Sequence, residues 1–157
     1  MKSIYLVRHS YTEYSYEKKD INRALTQEGF ERITTQINLI KSNFKPDIIV
    51  SSSALRAQQT ALEFKKQLKI NSEILFLDWL YEHYTTQDLL DLFQSFPNTI
   101  NSIMLIAHNP TISVMATNFN HSMNYQFNPC SILKLDFEVE QWNSLDIRAG
   151  KENFFLD

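Results

Sequence analysis

The sequence predicts a three-layer α/β/α sandwich, with a mostly parallel sheet, helices on both faces and an antiparallel C-terminal strand pair. Three observations carry that prediction. Short apolar runs recur at residues 4–7, 48–50, 74–77 and 103–107. Between them lie stretches whose apolar residues follow helical spacing, so strands alternate with helices. Beyond residue 130 the character changes and two more extended segments follow. A single domain spanning 1–157 is expected at this length, and a hydrophobic share of 43% suffices for a real core.

Each element has its own signal. Residues 4–7 form a strand that ends at Arg8-His9. Residues 10–24, polar and rich in tyrosine, read as a loop. From Leu25 the series Leu25, Phe30, Ile33, Ile37, Ile40 suits one helix face, with Thr26 as N-cap and Gly29 as a weak point. A second strand at 47–50 leads into Ser51-Ser52-Ser53, which offers N-cap hydroxyls to a helix near 54–68. The third strand is 74–77, followed by a helix near 86–95 capped by Thr85 or Thr86. The fourth, 103–107, ends at His108, and Asn109-Pro110 supplies an N-cap and an N1 proline for a helix near 110–118. Residues 131–137 and 142–148 read as the antiparallel pair, with 138–141 at the turn.

Composition narrows the function classes. The net charge is −3 and no Lys/Arg block runs along the chain, so no nucleic-acid partner is expected and any cationic site must be local. Cys130 is the only cysteine, which leaves no internal disulfide and no cysteine-based zinc site. The apolar N-terminal stretch is too short for a signal peptide, and no run reaches the ~18–20 apolar residues of a membrane span. A cytoplasmic protein with no membrane partner is expected; the oligomeric state is not readable.

Three strand ends carry the chemistry. The first ends in Arg8-His9, the second feeds a helix with Arg56 in its first turn, and the fourth ends in His108. In an open parallel sheet, ligands bind at the carboxyl ends of the strands. Two histidines and two arginines would thus meet in one crevice faced by helix N-termini. Guanidiniums clamp a phosphoryl group in pairs. A neutral imidazole, His9, would attack phosphorus, with a backbone carbonyl holding its Nδ1–H and nearby arginines disfavouring its charged form. His108 would donate to an equatorial oxygen. Ser10 and Asn109, beside the two histidines, join Arg8 and Arg56 as candidate substrate contacts. No metal or other cofactor is required; a site built from His9, His83, His108 and His121 would lack clustered carboxylates and would face two arginines.

At these residues the chain resembles the histidine phosphatase superfamily, the phosphoglycerate-mutase-like enzymes. Leu6-Val7-Arg8-His9 is similar to its opening Arg-His-Gly signature, with Ser10 in place of glycine. Asp20-Ile21-Asn22-Arg23-Ala24-Leu25-Thr26-Gln27-Glu28-Gly29 resembles the Asp-x-x-Arg-x-Leu-Thr-x-x-Gly stretch of the short SixA-type phosphohistidine phosphatases. Ser51-Ser52-Ser53-Ala54-Leu55-Arg56-Ala57-Gln58-Gln59-Thr60-Ala61 resembles Ser-Ser-Pro-x-x-Arg-Ala-x-Gln-Thr-Ala, and Ala107-His108-Asn109-Pro110 resembles Gly-His-Asn-Pro. The likeness runs over roughly residues 4 to 118. It implies that His9 is phosphorylated, that Arg8 and Arg56 bind phosphate, and that His108 is the second histidine. It also implies a general acid after the third strand, where Glu82 is the best candidate, with Asp78 and His83 behind it. The Ser10, Ser53 and Ala107 departures are expected to narrow the pocket mouth.

The short segment between the third strand and its helix leaves no substantial lid. An open site suits a phosphorylated protein, and phosphohistidine is the expected substrate, since imidazole leaves more easily than an alkoxide. Small phosphate monoesters are the alternative substrate. An inactive phosphate-binding or interaction module is the alternative from another class. The loop holding Tyr11, Tyr14, Tyr16, Lys18 and Lys19 would flank the pocket.

Overall fold

A computed structural model describes residues 1–40, 44–121 and 123–157 of the chain. Among the described residues the strands are β1 (Lys2–Arg8), β2 (Ile48–Ser52), β3 (Ile74–Leu77), β4 (Ser102–Ala107), β5 (Ile132–Phe137) and β6 (Lys151–Leu156). The helices are α1 (Gln27–Leu39), α2 (Leu55–Gln67), α3 (Thr86–Gln94) and α4 (Thr111–Phe119). One sheet runs in the order β3-β2-β4-β1-β5-β6. β1, β2, β3 and β4 pair in parallel, and β5 is antiparallel to both β1 and β6. The predicted fold class is therefore the observed one.

Strand periodicity divides the core into two. Ile4 and Leu6 of β1 and Ile103, Leu105 and Ala107 of β4 pack against α3 and α4. Their alternating neighbours Tyr5, Val7, Met104 and Ile106 pack against α1 and α2. A period of two places each strand's residues alternately in the two layers. That makes the central strands apolar on both faces, which is why they read as continuous apolar runs.

Local signals behave unevenly. Thr26 caps α1, accepting the Gly29 N–H at 3.1 Å. Thr85 and Asp88 form a reciprocal capping box at the start of α3. Gly29 is a requirement rather than a weak point: a Cβ there would lie 2.4 Å from the Tyr11 carbonyl oxygen, so only glycine lets the loop lie against the first turn of α1. The serines before α2 do not cap it. Ala54 holds the N-cap position without a side-chain bond. At α4 the N-cap position belongs to Pro110, not Asn109.

The last strand is misplaced by the sequence reading. Residues 142–148 are not extended: Trp142–Ser144 is a 3-10 turn, and β6 begins only at Lys151. Trp142 and Leu145, three apart, both turn into the α3/α4 core. Trp142 also donates its indole N–H to the Ile100 carbonyl at 2.7 Å. Burying that ring with its donor satisfied takes precedence over strand alternation.

Candidate active site

The convergence of strand ends follows from sheet order. β1 and β4 are parallel neighbours with Arg8 opposite Ala107. The next residue of each, His9 and His108, leaves the sheet beside the other, and their ring centres are 5.0 Å apart. β2 lies on the far side of β4 and runs into α2, whose second residue is Arg56. Arg56 is buried, with its Nε 3.3 Å from His9 Nε2.

The protonation of His9 is set from both sides of the ring. Its Nδ1 lies 2.8 Å from the Ser10 carbonyl oxygen, which can only accept, so Nδ1 carries the proton. Arg56 Nε–H can only donate, so Nε2 carries the lone pair. Burial is the main reason the His9 pKa falls from 6.5 to about 3; the Ser10 carbonyl opposes the fall, and His108, Arg56 and Arg8 add to it. The arginines thus act in the expected direction but as the lesser cause. His108 falls to about 4, again chiefly by burial, with Arg56 and Arg8 lowering it and Asp20 opposing. Both rings are neutral at pH 7.

Among the described residues, two buried nitrogens here have no hydrogen-bond partner, Arg8 Nε and His108 Nδ1. The Arg8 guanidinium is anchored through Nη1 to the Phe127 carbonyl at 2.8 Å. Buried polar groups are normally satisfied, so these two nitrogens stand out beside the buried guanidinium of Arg56. Among the described residues, no three His, Cys, Asp or Glu side chains are grouped as a metal ion would require.

Two groups absent from the sequence-based set complete the site. Asp20, in a short 3-10 turn of the 10–24 loop, accepts from Arg56 Nη2 at 2.9 Å, Arg23 Nη1 at 2.8 Å and Tyr81 Oη at 3.0 Å. Its backbone carbonyl accepts from Arg56 Nη1 at 2.7 Å. Partial burial raises its carboxyl pKa, but Arg23, Arg56 and Tyr81 outweigh this and hold it down at about 2. Tyr81 packs edge-on to His108 with centres 5.8 Å apart and lies 5.8 Å from the Arg56 guanidinium. The available signal was the three-residue spacing of Asp20 and Arg23, which turns both toward one side.

The remaining candidates sit differently. Glu82 is exposed, as are Asp78 and His83, and among the described residues its carboxylate makes no hydrogen bond or ion pair. Ser10 is fully buried, and its hydroxyl donates to the Gly29 carbonyl at 2.8 Å, away from any ligand. Only its carbonyl serves the site, and its side chain does not narrow the mouth. The Asn109 amide is committed to the Phe127 carbonyl at 2.9 Å and to Ser113 Oγ at 2.8 Å. Ala107 packs into the α3/α4 core and leaves the mouth open.

This fold and this cluster define the histidine phosphatase class. The model of the histidine phosphatase superfamily, branch 1, matches residues 4–101, and the chain belongs to that family; it is a phosphatase. The protein histidine phosphatase SixA, solved with tungstate, superposes with a TM-score of 0.84 at 20% identity, covering 98% of this chain and 96% of its own. A SixA-type protein from Agrobacterium tumefaciens gives 0.81 at 22% identity, with 99% and 97% covered. A phosphoserine phosphatase from Entamoeba histolytica, bound to phosphoserine, gives 0.69 at 18%, with 99% and 97% covered. No curated protein matches the chain by sequence.

Proposed function

We propose that the chain is a phosphohistidine phosphatase working through covalent phosphorylation of His9. The carrying observation is the fixed tautomer of His9. Ser10 and Arg56 independently assign the lone pair to Nε2, and the ring is neutral at pH 7. An entering phosphoryl group takes over the Arg56 Nε–H, which frees that lone pair. His9 Nε2 then forms a bond to phosphorus as the substrate P–N bond breaks, and the leaving imidazole keeps the electron pair and takes a proton from solvent. Water next attacks phosphorus, the Nε2–P electrons return to His9, and inorganic phosphate leaves. Arg8, Arg56 and His108 supply donors to the phosphoryl oxygens as charge shifts.

The state of the nearby carboxyls favours phosphohistidine over an ester. Asp20, whose carboxylate holds Arg56, is ionised at neutral pH and has no proton to give. Glu82 is exposed and has no bond toward the site. An alkoxide leaving group needs a proton donor, whereas an imidazole makes a weaker demand. The test is a panel of a phosphohistidine protein, phosphoramidate and p-nitrophenyl phosphate, run with wild type, His9→Ala and Glu82→Gln. The expected result is preferred turnover of the phosphohistidine protein, less than a twofold change with Glu82→Gln, and loss of turnover and of acid-labile phosphoenzyme with His9→Ala, on the order of 10⁴-fold or more. Faster ester turnover that collapses with Glu82→Gln would make it a phosphomonoesterase instead.

A further inference from the structure

Ser52, the last residue of β2, is fully buried and lies between two parts of the site. Its Oγ accepts the backbone N–H of Ala54 at 3.2 Å, at the start of the helix that carries Arg56. The same oxygen lies 2.8 Å from His108 Nε2. The other nitrogen of that ring, Nδ1, is buried and has no partner among the described residues.

Two proton arrangements fit these distances, and satisfaction of buried groups separates them. If His108 Nε2–H donated to Ser52, the serine oxygen would accept twice and its own proton would have no acceptor among the described residues. The Nδ1 lone pair would also be bare, on the ring that stands beside the arginines. If instead the Ser52 hydroxyl donates to Nε2, the serine is satisfied as donor and acceptor. The one unmatched group is then Nδ1–H, a donor of the kind a phosphoryl oxygen uses. Accepting a helix N-terminal N–H also polarises the serine O–H and strengthens its donation.

We propose that Ser52 is a positioning residue that fixes His108 in its Nδ1–H tautomer, so that the ring offers a proton rather than a lone pair to the phosphoryl group. The catalytic consequence rests on the phosphatase reading above; the tautomer does not. One hydroxyl thereby ties His108, at the end of β4, to the turn that sets Arg56.

Long-range ¹H–¹⁵N correlation spectra of the ¹⁵N-labelled full chain at pH 7, without phosphate, report which ring nitrogen of His108 bears the proton. The expected result is Nδ1–H in the wild type, loss of that preference in Ser52→Ala, and its retention in Ser52→Thr, which keeps the hydroxyl. With a phosphohistidine protein, Ser52→Ala should lower kcat about tenfold with little change in KM, less than the roughly 10²–10³-fold loss on removing a transition-state donor outright. A proton on Nε2 in the wild type overturns the proposal whatever the variants do. So does an unchanged tautomer in Ser52→Ala. A wild type with the Nδ1–H form that makes no phosphoenzyme upholds the tautomer and defeats the function assigned above.

Discussion

On the floor of the site Arg8, His9, His108 and Arg56 are fixed by two strand ends and a helix turn, whereas on the rim Asp20 and Tyr81 stand on loops. The Arg56 side chain is 8% exposed and that of Asp20, its ion-pair partner, is 49% exposed. On the floor, burial dominates: it holds both histidines neutral, and among the described residues Arg8 Nε and His108 Nδ1 have no partner. On the rim, partners dominate: Arg23, Arg56 and Tyr81 hold Asp20 ionised against its partial burial. Burial thus sets the floor, while the rim places a carboxylate on the Arg56 guanidinium.

The largest effect that sharpens this contrast comes from Arg56, which belongs to both parts. Arg56→Ala removes a buried guanidinium from the floor and the anchor of Asp20 from the rim. Binding of orthovanadate, followed by calorimetry, should weaken by roughly 1.5–3 kcal/mol, the scale of a hydrogen bond to a charged group. Unchanged affinity would mean that Arg56 serves only the Asp20 loop, and the floor would lose one of its two arginines.

The same contrast explains what was legible in the sequence. Arg8, His9, Arg56 and His108 follow apolar runs or a helix start, and a parallel sheet brings its strand ends together whatever the loops do. Those positions were therefore readable. Asp20 reaches Arg56 through the path of the 10–24 loop, which no periodicity encodes. Ser10 looked like a pocket residue because it follows His9, but its hydroxyl is drawn under α1 by the Gly29 carbonyl. Ser52 looked like a helix cap, yet Ala54 holds that position and Ser52 turns to His108. In β6 the error was one of period: Trp142 and Leu145 follow core packing rather than strand alternation.

Acid stability separates the two parts by pH window. The folded values of His9 and His108, about 3 and about 4, lie below their ordinary 6.5. As pH falls below about 6.5 the unfolded chain gains protons at these two sites that the folded chain refuses, so stability falls with pH. Asp20 behaves differently: its stabilising contribution is complete above its unfolded value of 3.8 and disappears as pH falls through about 2. Between pH 7 and 5 the floor should therefore govern. In phosphate-free buffer the thermal midpoint should drop by a few degrees over that range, and His9→Gln should flatten the drop. Parallel curves for the two proteins would show that His9 is not held neutral by burial.

The smallest effect tests whether the rim carboxylate competes with the ligand. Asp20 takes one hydrogen bond from each terminal nitrogen of Arg56, through its carboxylate and its carbonyl. A phosphoryl group that uses those nitrogens must share or displace them. Asp20→Asn removes the charge and keeps the shape, so orthovanadate should bind more tightly. The gain is bounded by what a half-exposed ion pair is worth, about 0–1 kcal/mol, and so should not exceed about fivefold; it should shrink as salt rises. A loss of affinity would reverse the assignment. Asp20 would then be holding Arg56 in the orientation the anion needs, and the rim would be part of the floor's preorganisation rather than its competitor.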